Sequence, residues 1–172
     1  MASPAAPLEP AQHVPHWCGV LFPMQPPTQT MDRRTGIPNR DVKWKPPDHP
    51  WLKLNIDTCL VAPSGKFGGG GLIRNSRSTM LAAYSSPINA QSHCEVELST
   101  ILHRALLAKE FGALFWIESA TQQGLSLINS KHLGPAQTRH IMARVLVALQ
   151  DCSTKTRVIP RQGNKAAEFL AK

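Results

Sequence analysis

Residues Leu52-Lys53-Leu54-Asn55-Ile56-Asp57 alternate apolar and polar side chains one for one and end on a carboxylate. A period of two sends successive side chains to opposite faces of an extended chain, so this run reads as a strand. Beyond the turn residues Pro63-Ser64-Gly65, the segment Phe67-Gly68-Gly69-Gly70-Gly71-Leu72-Ile73-Arg74-Asn75 feeds a glycine run into a second apolar stretch. The glycines do not form a phosphate-cradling loop, because no Gly-Lys-Ser/Thr follows them and no helix starts there. They read instead as a site of close strand packing.

The apolar period then changes in an informative order. Residues 70–75 and 79–84 read as two strands joined by the polar turn Ser76-Arg77-Ser78, and residues 85–89 as a connection broken by Pro87. Cys94, Leu98, Ile101, Ala105 and Ala108 step by four and three, one apolar stripe on a helix of about 20 residues that Gly112 closes. Residues 114–117 are wholly apolar and suit a buried central strand. Ile141, Val145, Ala148 and Leu149 form a second helical stripe after Pro135. Residues 156–159 read as a last strand, and Asn164 as the cap of a short helix ending at Lys172. Three strands, helix, strand, helical region, strand and helix make an α/β layered domain with a mixed five-stranded sheet.

Proline marks the domain boundary. Eleven of the fifteen prolines lie in residues 1–50, and each removes a backbone donor and restricts its predecessor. Residues 1–42 therefore read as a proline-rich, disordered or loosely attached segment, and residues 43–172 as the folded domain. Residues 51–172 carry 14 Lys and Arg against 7 Asp and Glu, a net of +7. That balance favours polyanions through counterion release. Cys18, Cys59, Cys94 and Cys152 have no paired spacing and read as reduced, mostly buried thiols of an intracellular protein, and His13, His16 and Cys18 lack a fourth metal ligand. No secretory signal is visible, and no apolar run nears the roughly 20 residues needed to cross a bilayer.

Lys43-Trp44-Lys45-Pro46-Pro47 leading into the Lys53-Leu54-Asn55-x-Asp57 strand and the glycine-rich second strand resembles the ribonuclease H type-1 family. The match is to its plant reverse transcriptase-like, retroelement-type branch. The resemblance covers about residues 43–172 and implies the ribonuclease H-like three-layer fold, with helices on both faces of the sheet. It also implies hydrolysis of the RNA strand of an RNA–DNA hybrid by four acids and two divalent metals, Mg²⁺ or Mn²⁺. Three of the four acids have counterparts. Asp57 stands at the family's first aspartate. Glu97, in Val96-Glu97-Leu98, precedes Gly112 by fifteen residues, as the family glutamate precedes its helix-closing glycine. Glu168, in Asn164-Lys165-Ala166-Ala167-Glu168, replaces the last aspartate.

The family's Val-Glu-Ser-Asp becomes Ile117-Glu118-Ser119-Ala120, so Ala120 replaces the third catalytic aspartate. The resemblance thus implies weakened metal binding and weak or absent hydrolysis, with Asp57, Glu97 and Glu168 as the remaining ligands. Arg74, Arg77, Arg161 and Lys165 are the expected contacts to a hybrid or double-stranded nucleic acid. The expected protein is a monomer without membrane attachment, nuclear or cytoplasmic. Its alternative is a non-catalytic binding or interaction domain of retroelement origin.

Overall fold

The computed structural model describes residues 43–61 and 66–172; the segment 1–42, with its histidines and Cys18, and the 63–65 turn lie outside them. The chain runs β1 (Leu52–Val61), β2 (Lys66–Arg74), β3 (Met80–Ile88), α1 (His93–Ala108), β4 (Leu114–Ser119), α2 (Gln123–Ser130), α3 (Arg139–Leu149), β5 (Ser153–Val158) and α4 (Lys165–Ala171). Short 3-10 turns at Ala136–Thr138 and Arg161–Asn164 lead into α3 and α4. The sheet order is β3-β2-β1-β4-β5. β1, β2 and β3 pair antiparallel, while β4 runs parallel to both β1 and β5.

Alternation in β1 sorts the two faces. Leu54 and Ile56 are fully buried with Phe115 and Ile117 of β4, Leu98 and Ala105 of α1, and Met142 and Val145 of α3. Lys53, Asn55 and Asp57 face the other way, toward α4. The glycine run lets both layers approach. A Cβ on Gly69 would lie 2.4 Å from the Thr100 hydroxyl of α1, and one on Gly70 would lie 2.3 Å from the backbone of α4 at Leu170 and Ala171. The helices therefore pack on opposite faces of the sheet.

Gly70→Ala should cost about 3 kcal/mol, at the upper end of ordinary overpacking, because the atoms it meets are backbone. Gly69→Ala should cost less, since the Ile88 and Thr100 side chains it meets can turn. Urea unfolding of the two variants checks the order, and equal losses would contradict it.

Several elements differ from expectation. β3 continues through Pro87, which pairs with Gly68, because β3 is an edge strand and a missing N–H on its outer side breaks no ladder bond. α1 spans 16 residues and ends at Ala108, four before Gly112. Its start is set by Ser92, whose hydroxyl accepts from the Glu95 N–H at 3.2 Å. α2 was not foreseen: Gln-Gly-Leu-Ser-Leu-Ile-Asn-Ser is a poor helix former, held by burial of Leu125 and Ile128. β5 starts three residues before the expected position. Asn164 stands at the N-cap of α4 as expected, but its side chain makes no cap bond; it donates instead to the Ile56 carbonyl at 2.7 Å, tying the last helix to the central strand.

Candidate functional site

Asp57 sits midway along β1, paired with Gly70 and only 4% exposed. Its Oδ1 accepts from the Thr58 N–H at 2.9 Å. Burial pushes its carboxyl above the ordinary 3.8, against smaller opposing effects of that hydrogen bond and of Arg161 and Lys165; Glu168 adds to the rise. A carboxyl whose folded value is raised contributes stability below its unfolded value and loses it as pH rises through the folded value. Asp57→Asn should therefore raise stability and Tm at pH 7 and flatten the acid side of the stability profile. Thermal melts from pH 3 to 8 check this; a lower Tm at pH 7 would show that the ionised form is stabilising.

Of the other two carboxylates, Glu168 is near enough to act on Asp57, and each has hydrogen-bond partners of its own. Glu97 is buried on α1, against the opposite face of the sheet. Its Oε2 accepts from the Gly124 N–H at 2.9 Å, and a Cβ on Gly124 would come within 2.9 Å of its carboxyl carbon. A glycine in α2 thus admits the glutamate, which holds the start of that helix. Its Oε1 is buried without a partner. Glu168 is clasped by Lys165 at 2.8 Å and Lys172 at 3.1 Å, bonds that hold its carboxyl below the usual range. Ala120 follows the end of β4, where Ser119 and Thr121 share a hydroxyl contact of 2.9 Å. Glu118, one step back on the Asp57 face, is taken by Lys53 and Asn55, each at 3.0 Å.

Asp57 lies on the side of β1 that faces α4, whereas Glu97 belongs to α1, which packs its apolar stripe on the other face. Among the described residues no three His, Cys, Asp or Glu side chains lie close enough to hold a metal ion. A two-metal centre needs oxygen ligands gathered from several elements; the residues in this arrangement do not fit one.

The four expected cations divide. Arg161 and Lys165 are exposed on the chain entering α4 and act electrostatically on Asp57. Arg77 is exposed at the β2–β3 turn. Arg74 is engaged within the protein: its guanidinium stacks 3.4 Å from the Trp44 ring centre and donates to Asn55 Oδ1 at 2.6 Å. Burial lowers its pKa to about 10, which leaves it charged at neutral pH. It belongs to an alternating row across the sheet, Arg74, Trp44, Lys53, Trp116, Lys155 and Trp51, with each cation against one or two indole rings. Lys155 and Arg157 extend the cationic face to the exposed edge strand β5. Neither was among the expected contacts, although the wholly polar run Ser153-Thr154-Lys155-Thr156-Arg157, with Thr at alternate positions, is a signal for an exposed strand.

No family model matches this chain, and no curated protein is similar to it in sequence. Solved structures are similar in fold. The RNase H1 of the halophilic archaeon Halobacterium salinarum NRC-1 superposes with a TM-score of 0.61 at 16% identity, over 70% of this chain and 94% of that one. The N-terminal RNase H domain of Rv2228c from Mycobacterium tuberculosis gives 0.64 at 14%, over 70% and 95%. LC11-RNase H1, solved with an RNA/DNA hybrid, gives 0.60 at 14%, over 70% and 93%. Together with the five-stranded mixed sheet and the helices on its two faces, these likenesses show that the chain has the ribonuclease H-like fold.

Proposed function

We propose that this protein is a nucleic-acid-binding module built on the ribonuclease H-like fold, taking an RNA–DNA hybrid or duplex with little or no hydrolysis. The observation that carries this reading is that two exposed cations, Arg161 and Lys165, act on the buried Asp57, while Glu97 is bonded to Gly124 and Glu168 to Lys165. An LC11-RNase H1 of the same fold binds a hybrid, and a net charge of +7 over residues 51–172 supports a polyanionic partner. The motifs at Lys53–Asp57 and Asn164–Glu168 support a retroelement-type, plant reverse transcriptase-like ancestry in which Ala120 replaced a catalytic aspartate. Intracellular action as a monomer is part of the same reading. Among the described residues no helix is long and apolar enough to cross a membrane.

Binding of a labelled hybrid across a salt series tests the proposal. Affinity should fall linearly on a log–log plot, and Arg161→Gln with Lys165→Gln should flatten the slope by about 2, roughly one per phosphate contact. Binding that ignores salt, or an unchanged slope in the double variant, would move the contact away from this surface. No binding at low salt would leave an interaction domain as the better description.

A further inference from the structure

Beside α4 a cleft of about 180 Å³ opens between Trp44 and Arg74 on one side and residues 162–167 on the other. This exceeds the roughly 30 Å³ share of one water in the liquid, so it has room for a small polyatomic ligand. Three of its lining residues carry buried polar atoms without a partner: Trp44 Nε1, Arg74 Nε and Asn164 Oδ1. Buried polar atoms are almost always paired, so three orphans around one cleft call for an explanation.

Their chemistry is fixed. Asn164 is 2% exposed, and its Nδ2 donates to the Ile56 carbonyl, so Oδ1 can only accept. The Trp44 and Arg74 nitrogens can only donate. Arg74 is held by its stack on Trp44 and its bond to Asn55, so its Nε–H has a set direction. Lys165 lines the same cleft and remains largely exposed while paired with Glu168. The deeper cation, Lys53, is matched by Glu118. The complement of two donors and one acceptor in a cationic cleft is a small anion that also carries one proton to give.

We infer that this cleft is a binding site for hydrogen phosphate, with Trp44 Nε1–H and Arg74 Nε–H donating to its oxygens and its P–OH donating to Asn164 Oδ1. Sulfate has the same shape and charge but no proton. A phosphate monoester above its second pKa of about 6 also lacks one, and so does a phosphodiester. The cleft shares Lys165 with the proposed hybrid surface, so it is tested with free phosphate and no nucleic acid.

Titration at pH 8 with inorganic phosphate, sulfate and methyl phosphate, each a tetrahedral dianion, tests it by calorimetry and by the Tm of the intact chain. Phosphate should bind at least tenfold more tightly than the other two and raise Tm selectively. Equal effects of all three would mean charge screening alone, and tighter methyl phosphate would mean a terminal phosphate of a nucleotide; either overturns the assignment. So does an absence of binding by all three. Trp44→Phe keeps a ring against Arg74 but removes the donor. It should weaken phosphate at least tenfold, and unchanged phosphate affinity in this variant would also overturn the proposal.

Discussion

Glu118→Ala should destabilise the protein by about 3–5 kcal/mol, the usual loss when one partner of a buried ion pair is removed. The Lys53 ammonium lies 3.0 Å from Glu118 Oε1, with both side chains 4% exposed. Without that carboxylate, Lys53 keeps only the Lys45 carbonyl at 2.7 Å and the faces of Trp44 and Trp116. Asn55 would also lose the acceptor of its Nδ2, and Asn55 in turn holds Arg74. A shift in Tm of roughly 10 °C corresponds to this loss for a domain of this size. Replacing both partners by Lys53→Met and Glu118→Leu should recover most of it, because no unpaired charge is left behind. Denaturant melts of the three variants form the check. A loss below about 1 kcal/mol for Glu118→Ala would mean that Lys53 reaches water and that the pair behaves as a surface bridge.

That network also marks the limit of what the sequence discloses. The alternation through Leu52–Asp57 reveals a strand and its two faces, and the apolar stripes reveal α1 and α3, because each depends on neighbours within a turn or two. It does not reveal that the polar face is itself buried. The cover comes from Trp44 and from α4, and the latter is more than a hundred residues further along the chain. Asp57 and Glu97 could be located from their motifs, and the structure finds both buried. The partners each finds depend on which layer each helix joins, and the choice of layer leaves no local pattern in a helix. Nor could the sequence tell Arg74 from Arg161: one ends a strand and the other opens a turn, and both are arginines at an element boundary. One is stacked beneath an indole and the other stands in solvent, which changes what each can offer a phosphate.

The chain should cleave an RNA–DNA hybrid roughly 10²–10⁴ times more slowly than an intact two-metal site of this fold, given several kcal/mol for a metal's contribution and tenfold per 1.36 kcal/mol. Ala120→Asp alone should not restore cleavage with either Mg²⁺ or Mn²⁺. The new carboxylate would stand just past the end of β4, but Glu97 would still accept from Gly124 and Glu168 would still be held by Lys165 and Lys172. Lys165→Met with Lys172→Met, added to Ala120→Asp, frees Glu168 to turn toward Asp57, and any gain should come only in that combination. Single-turnover cleavage of a labelled hybrid by the parent, the single and the triple variant decides the matter. Cleavage by the parent that Asp57→Ala abolishes would mean that the site works without a third aspartate. Cleavage by Ala120→Asp alone would mean that Glu97 and Glu168 leave their present partners when metal binds, and that activity was lost at one position. If the triple variant is also inactive, Glu97 is the obstacle: its carboxylate supports the start of α2, a role incompatible with reaching a metal beside Asp57.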